Sequence, residues 1–197
     1  MEIKNLKLGA YQTNCYIAWG EGADTCVVID PGYEPALVLA QAEQLGKSVE
    51  AILLTHGHFD HVGGVAQIAQ TTGCRVFVCK EDLSLDPRLT CGPLPYTDTY
   101  AEGDTLTLAG LTLQVLQTPG HTPGSVCLLA EDTLFTGDTL FAGSIGRTDF
   151  PGGNVPQMRK SLARLKAMAE NYRVLPGHAE MSTLDEERNA NPFLRGL

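Results

Sequence analysis

The segment 56–61 constrains this chain more than any other, because it places three histidines and an aspartate within six residues. The apolar run 49–54 in front of it predicts a short buried strand, and the run 62–70 behind it predicts the start of a helix. The cluster is therefore expected on a turn at a strand end, where catalytic groups are often held. Imidazole and carboxylate groups are the ligands that a zinc-type cation prefers, so the segment predicts a metal site.

The spacing inside the cluster favours two adjacent metals over one. His56 and His58 are two residues apart, so in an extended turn their side chains can point to one side. Asp60 and His61 follow at the next bend and can face a different point.

The chain has only two other histidines, His121 and His178, and each follows a Pro-Gly turn. A single histidine of this kind is usually an ordinary surface or core residue. Three histidines in one cluster and the other two in turns favour a metal site instead. Asp138 would by itself be an ordinary turn aspartate, and it gains meaning only beside these candidates.

Together these residues resemble the metal motif of the metallo-β-lactamase superfamily. Within that superfamily the chain is most similar to the glyoxalase II-like (hydroxyacylglutathione hydrolase) branch, in its short single-domain form. The supporting segments cover almost the whole chain in order: 29–32, 120–125, 136–138, 143–153 and 191–194. Persulfide dioxygenases of the same branch carry a segment similar to 146–150, Gly-Arg-Thr-Asp-Phe.

The resemblance implies a fold and a set of ligands. The implied fold is α/β, an αββα sandwich of two mixed β-sheets flanked by helices, with the site at one edge. The implied ligands of the first metal are His56, His58 and His121. Those of the second metal are Asp60, His61 and His178, and Asp138 bridges both metals. Asp60 and Asp138 are thus the candidate catalytic carboxylates, and Asp30 is a supporting residue.

Two divalent metals about 3.5–4 Å apart can share a hydroxide, because they lower the pKa of bound water toward about 7, and this supplies a nucleophile at neutral pH. They also stabilise the oxyanion that forms when a carbonyl is attacked. A thiolate leaving group needs little protonation, so the expected reaction is hydrolysis of a thioester such as S-lactoylglutathione. Zinc is the expected metal, with iron and manganese as alternatives.

Other functions stay open at this point. One is a persulfide dioxygenase-like oxidoreductase with a single iron, and another is a different hydrolase of the superfamily, such as a lactonase. The sequence contains neither a Gly-x-Ser-x-Gly elbow nor a P-loop, so serine-hydrolase and P-loop chemistry have no support.

Arg147 and two differences from the family pattern bear on which substrate the protein recognises. Arg147 is a candidate contact for an anionic substrate group, or a partner of Asp149 that fixes the loop. Full-length glyoxalase II enzymes carry a C-terminal helical extension that binds glutathione. Without it we expect weak recognition of glutathione and tolerance of other thiol carriers. Glu180 replaces a proline that often lies near the last histidine of the family, which places a carboxylate at the rim of the site.

The length and the net charge of the chain limit the number of domains and the class of partner. A chain of 197 residues is expected to form one domain, 1–197, and its net charge of −9 argues against a nucleic-acid partner. The sequence shows no signal peptide and no membrane-spanning run, so we expect a cytoplasmic protein with a small-molecule thioester as its partner. The oligomeric state stays open. The six cysteines are expected to stay reduced, with Cys91 the most exposed.

Periodicity and turn residues predict the elements. Strands are expected at 2–9, 14–19, 24–30, 49–54, 75–79, 104–109, 111–117, 125–131, 133–136 and 173–175. Helices are expected at 34–46, from 62 to about 73, at 155–170 and at 184–189. The Pro- and Gly-rich segment 84–103 is expected to be a loop, in which Tyr96 and Tyr100 either line a pocket or face solvent.

Overall fold

Two six-stranded sheets and one small hairpin account for all strands in a computed structural model that describes residues 1–197. The first sheet has the spatial order β1 (Glu2–Leu8), β2 (Thr13–Trp19), β3 (Thr25–Ile29), β4 (Ser48–Leu53), β5 (Arg75–Cys79), β6 (Asp98–Tyr100). The second has the order β14 (Ser182–Thr183), β13 (Arg173–Pro176), β10 (Thr133–Gly137), β9 (Val126–Ala130), β8 (Leu111–Gln117), β7 (Thr105–Leu108). The hairpin pairs β11 (Leu140–Phe141) with β12 (Ser144–Ile145). Each large sheet contains parallel and antiparallel pairs, which confirms the predicted mixed sheets.

Helices lie on the outer surface of both sheets. They are α1 (Pro35–Gln44), α2 (Phe59–Val62), α3 (Val65–Thr72), α4 (Pro87–Thr90), α5 (Val155–Lys166), α6 (Leu184–Ala190) and α7 (Pro192–Arg195). Apolar residues of α1 and α3 pack against the first sheet, and those of α5, α6 and α7 pack against the second. None of these helices has the length and apolar character needed to cross a membrane.

Strand β3 shows why its sequence is apolar without alternation. Val27 and Ile29 point into the core between the two sheets, whereas Cys26 and Val28 point into the core under α1 and α3. Side chains of a strand alternate between faces, so a sheet that is covered on both faces needs apolar residues at every position. This double burial is the αββα sandwich that the resemblance implied.

The segment 84–103 is more ordered than expected. It contains α4 and β6, and a 3₁₀ helix at Lys80–Ser84 leads into it. The expectation that Tyr100 lines a pocket or faces solvent is wrong, because the side chain is buried between the sheets and stacks on Phe77. Its hydroxyl donates a hydrogen bond to the carbonyl of Leu54. Tyr96 is half exposed and lies outside the main cleft.

Helix α5 ends at Lys166, four residues before the predicted end at 170. The guanidinium of Arg188 donates hydrogen bonds to the carbonyls of Lys166, Met168 and Glu170. A side chain from α6 therefore satisfies the carbonyls that a longer helix would have used, and the chain turns toward β13. Among the cysteines, Cys91 is exposed and the other five are buried, as expected.

The two sheets are joined by backbone hydrogen bonds at one edge. The amide of Val126 donates to the carbonyl of Thr55 at 2.9 Å, and that of Asn14 donates to Gly177 at 2.8 Å. These bonds hold the loop after β4 against the start of β9, and the start of β2 against the loop after β13. Loops from both sheets therefore meet at this edge.

Candidate metal centre

Four loops bring all seven predicted site residues to this edge. The turn after β4 and the short helix α2 carry His56, His58, Asp60 and His61. The loop between β8 and β9 carries His121, and the ends of β10 and β13 are followed by Asp138 and His178. The strand-to-helix turn predicted from segment 56–61 is therefore present, and it faces three segments of the second sheet.

Three of these residues form a buried group that we call the three-histidine cluster: His56, His58 and His121. Nδ1 of His58 lies 2.8 Å from Nε2 of His121, and the His56 ring is 4.8 Å and 4.7 Å from those two rings between centroids. Each side chain offers a ligand atom, and these atoms lie within 4.8 Å of one another. The cluster contains no carboxylate.

A second group, the mixed cluster, consists of Asp60, His61 and His178. Nε2 of His178 lies 3.2 Å from Oδ2 of Asp60 and 3.3 Å from Nε2 of His61. The Asp138 carboxylate lies between the two clusters, because its Oδ1 is 3.4 Å from Nε2 of His61 and its Oδ2 is 3.5 Å from Nε2 of His121. The two groups have the members that the resemblance implied, and Asp30, His56 and His61 form a third group whose ligand atoms also lie within 4.8 Å of one another.

Backbone carbonyls fix the tautomers of two histidines. Nδ1 of His121 lies 2.7 Å from the carbonyl oxygen of Arg147, and Nδ1 of His178 lies 3.3 Å from that of Tyr11. A carbonyl oxygen only accepts, so each Nδ1 carries the hydrogen and each neutral ring keeps its Nε2 lone pair. Both lone pairs point toward the centre of the site, where a cation would be bound.

Asp30 orients two further histidine rings, those of His61 and His56. Its carboxylate accepts hydrogen bonds from the Thr55 amide at 2.8 Å, the Thr55 hydroxyl at 2.6 Å and Nδ1 of His61 at 3.0 Å. Because the hydroxyl hydrogen goes to Asp30, the Thr55 oxygen is free to accept from Nδ1 of His56 at 3.2 Å. Asp30 therefore orients His61 directly and His56 through Thr55, as a supporting residue does.

The donor set fits a divalent metal. Nε2 of His56, Nε2 of His58 and Oδ1 of Asp138 are buried and have no hydrogen-bond partner. A buried polar atom without a partner is costly, and lone pairs that converge from several loops are satisfied together by a cation. Imidazole nitrogens with carboxylate oxygens suit zinc, iron and manganese alike.

The two clusters differ in charge. Burial, together with repulsion from His121 and His61, lowers the pKa of His58 to about 4, and burial lowers that of His56 further. Burial also acts to lower the pKa of His61, but the carboxylates of Asp138 and Asp30 outweigh it and raise the value to about 9. Metal-free, His56 and His58 of the three-histidine cluster are neutral, whereas the mixed cluster contains an imidazolium at His61.

The clusters form the floor of a cleft of about 490 Å³. The walls are mostly apolar and are formed by Tyr11, Phe59, Leu89, Phe141, Ile145 and Phe150. Arg147 is the one cationic side chain in the lining. Its Nε and Nη2 donate to the two carboxylate oxygens of Asp149 at 2.7 Å and 2.8 Å, and its guanidinium lies 3.7 Å from the centre of the Phe150 ring. This geometry favours the loop-fixing role of Arg147.

Glu180 lies outside the cleft lining and is exposed to solvent. Its carboxylate forms an ion pair with Lys7 at 2.7 Å. The side chain therefore belongs to the outer rim, where it links the loop after His178 to β1.

Asp82 was not predicted from the sequence. It lies in the 3₁₀ helix after β5, is 1% exposed, and accepts hydrogen bonds from the loops that carry His58 and His121. Burial raises the pKa of its carboxyl, although these hydrogen bonds act in the opposite direction. The available signal was its position, because it follows a strand that is parallel to β4 and ends at the same edge.

Comparison with known proteins gives a consistent result. Residues 8–178 match the family described as the metallo-beta-lactamase superfamily. The chain is 34% identical to hydroxyacylglutathione hydrolase GloC of Haemophilus influenzae, over 98% of each protein.

Two solved structures resemble the whole chain. The BLEG-1 B3 metallo-beta-lactamase has a TM-score of 0.89 and 34% identity, over 98% of this chain and 99% of that one. The protein TTHA1623, solved in a di-iron-bound form, has a TM-score of 0.84 and 39% identity, over 97% of this chain and 100% of that one. By fold, residues and family match, the chain belongs to the metallo-β-lactamase superfamily, with glyoxalase II-like relatives.

Proposed function

We propose that this protein is a dinuclear metal-dependent hydrolase that cleaves a thioester such as S-lactoylglutathione. The observation that carries the proposal is the Asp138 carboxylate, which lies 3.4 Å from a ring nitrogen of the mixed cluster and 3.5 Å from one of the three-histidine cluster. A carboxylate in this position suits a bridge between two cations. The name of the GloC relative supports a thioester as substrate.

The residues have separate roles in this proposal. The three-histidine cluster holds one metal, the mixed cluster holds the other, and Asp138 holds both. When bound, the metals supply a nucleophile from water at neutral pH and an electrophile for the substrate carbonyl. Asp60 and Asp138 are the carboxylates in contact with the reacting centre.

The cleft walls position the substrate. Phe150 packs edge-on against His58 with ring centroids 6.0 Å apart, and Phe141 packs against His178 at 6.1 Å. An aromatic ring therefore flanks each cluster, which suits an acyl group on one side of the scissile bond and a thiol carrier on the other. The lining excludes water from the walls and leaves the polar contacts to the floor.

Zinc is the proposed metal, and the di-iron form of TTHA1623 makes iron the first alternative. A small-molecule thioester, rather than a nucleic acid or a membrane, is the proposed partner, since the chain has a net charge of −9. A cytoplasmic location is part of the proposal, because six unpaired cysteines suit a reducing compartment.

The test combines metal analysis with a substrate panel. Protein purified with zinc, iron or manganese is analysed for metal per chain and then assayed on glutathione, coenzyme A and small neutral thioesters. We expect two metals per chain and hydrolysis of at least one thioester class. A fully metallated protein that hydrolyses no thioester would defeat the proposal. Oxygen uptake with glutathione persulfide at one iron per chain would replace it by a dioxygenase, and hydrolysis of lactones alone by a lactonase.

A further inference from the structure

A single buried carboxylate joins the loops behind the three-histidine cluster. Asp82 accepts hydrogen bonds through Oδ2 from the Gly57 amide at 2.8 Å and the Thr122 hydroxyl at 2.9 Å. Its Oδ1 accepts from the Gly124 amide at 2.6 Å. Asp82 is 1% exposed and does not line the cleft, so it does not touch a substrate bound there; it borders a separate small pocket beside α4.

The donors belong to the two segments that carry the cluster. Gly57 lies between His56 and His58, and Thr122 directly follows His121. Gly124 completes the same turn after His121. Asp82 therefore fixes the relative position of the segments whose side chains must converge on one point.

No polar contact of Asp82 reaches the mixed cluster. That cluster is oriented by Asp30, through His61, and by the Tyr11 carbonyl, through His178. The mixed cluster thus depends on Asp30, whereas the three-histidine cluster depends on Asp82 and has a second link to Asp30, which reaches His56 through Thr55. Both carboxylates are buried.

The packing around Asp82 leaves little room for adjustment. A Cβ atom on Gly124 would lie 2.6 Å from Oδ1 of Asp82, and a Cβ atom on Gly57 would lie 2.8 Å from the side chain of Leu94. The Thr122 hydroxyl is held in addition by Ser125, with 2.8 Å between the oxygens. Backbone and carboxylate are in direct contact because both loop positions are glycines.

We propose that Asp82 is a positioning residue that sets the metal affinity of the three-histidine cluster and leaves that of the mixed cluster unchanged. The inference rests on the proposed metal centre, but not on the identity of the substrate. Removal of an outer hydrogen-bond partner of metal ligands costs about 10- to 100-fold in metal affinity. In Asp82→Asn the side chain keeps its shape, but its amide group faces a hydrogen-bond donor and one loop is released.

The experiment measures stepwise zinc dissociation constants by competition with a chromophoric chelator. Asp82→Asn is compared with wild type and with Asp86→Asn, a nearby carboxylate that instead binds the exposed Arg88. The references His58→Ala and His178→Ala identify which step belongs to which cluster. We expect Asp82→Asn to weaken the step that His58→Ala abolishes by about 10- to 100-fold. The other step should match wild type, and Asp86→Asn should match it in both.

A second pair of variants applies if Asp82→Asn does not fold. Thr122→Val removes one of the three hydrogen bonds with little change of shape, and Thr122→Ser keeps the hydroxyl. We expect Thr122→Val to weaken the same step by a smaller factor and Thr122→Ser to restore it. A purely structural role would lower the thermal midpoint of all variants without separating the two steps.

Two outcomes overturn the inference: unchanged zinc affinities, or equal losses at both steps. The titration contains no substrate, so a protein without thioesterase activity leaves the result valid. A wild-type protein that binds only one zinc would defeat the dinuclear proposal. The inference would then stand if His58→Ala abolishes that single site and Asp82→Asn weakens it, and would fall if Asp82→Asn has no effect.

Discussion

The two halves of the candidate centre, the three-histidine cluster and the mixed cluster, differ in their ligand types and in their charge. The three-histidine cluster contains only buried imidazoles, and the pKa of His58 is lowered to about 4. The mixed cluster includes a carboxylate, Asp60, whose charge is compensated within the cluster. Burial acts to raise the pKa of Asp60, but His178 and His61 outweigh it and lower the pKa to about 2. In the metal-free protein, His56 and His58 are neutral, whereas the mixed cluster contains an ion pair.

The two candidate metal sites therefore differ in the protonation of their ligands before a metal binds. A cation that enters the three-histidine cluster displaces no proton from His56 or His58 at neutral pH, because both rings are neutral there. A cation that enters the mixed cluster must displace the proton of His61, whose pKa is raised to about 9. We therefore expect two binding steps with different pH dependence, linked by Asp138.

The largest effect is expected from Asp138→Ala, which would abolish the link between the halves. Because Asp138 approaches both clusters, its loss should lower the metal content and reduce kcat by about 10³-fold or more. Metal analysis and steady-state kinetics check this, with Asp132→Asn, an exposed turn aspartate, as the matched control. The fold should survive, since the apolar core lies apart from the site. Near-normal turnover with full metal content would show that Asp138 is not the bridge.

The next effect concerns pH and separates the halves directly. Below about pH 9 His61 carries a proton in the metal-free protein, so zinc affinity of the mixed cluster should fall about tenfold for each pH unit. Above that pH it should level off. The slope for the three-histidine cluster should be smaller between pH 6 and 9, because His56 and His58 are already neutral there. Stepwise zinc titrations from pH 6 to 9.5 test this, and parallel slopes for both steps would contradict it.

A third change tests the support of the mixed cluster. Asp30→Asn weakens the acceptor that orients His61, so the affinity of the mixed cluster should fall by about 10- to 100-fold. Because Thr55 links Asp30 to His56, a smaller loss is expected at the other step. The same zinc competition assay measures both steps. A larger loss at the three-histidine cluster would reverse the proposed division of supports.

The smallest change in kcat/KM is expected from Arg147→Ala, a substitution in the wall of the cleft. Arg147→Ala breaks an exposed ion pair, and such pairs contribute little, so kcat/KM should fall by no more than about fivefold. The loss should be equal for neutral and anionic thioesters, and Asp149→Asn should reproduce it, because both residues hold the loop whose carbonyl orients His121. A loss confined to anionic thioesters, worth about 1–3 kcal/mol, would instead show that Arg147 contacts the substrate.

The sandwich was predictable from the resemblance to a known superfamily, and the position of the histidine cluster was predictable from local sequence. The apolar run before His56 and the close spacing up to His61 predict a ligand-rich turn without knowledge of the rest of the chain. The family match and the fold confirm that part. The roles of the seven residues as ligands stay a prediction, although the structure brings the side chains together.

The remaining features depend on contacts between distant segments. Asp82 lies beside two other charged residues, Lys80 and Glu81, and nothing in that stretch shows that only Asp82 is buried. Tyr100 was expected in a pocket or in solvent, yet its ring stacks on that of Phe77, which lies on the adjacent strand. Such outcomes are set by tertiary packing and carry no periodic signal along the chain.

The division of the site between the two sheets has a consequence for synthesis of the protein. Each cluster takes ligand candidates from both sheets, since the first needs His121 and the second needs His178. During translation, a chain that has emerged only as far as β6 contains four of the seven residues and can complete neither cluster. Neither cluster of the proposed centre can therefore be loaded before the late strands have joined. A fragment that ends before His121 retains only the group of Asp30, His56 and His61, so it should bind zinc more weakly than the whole chain.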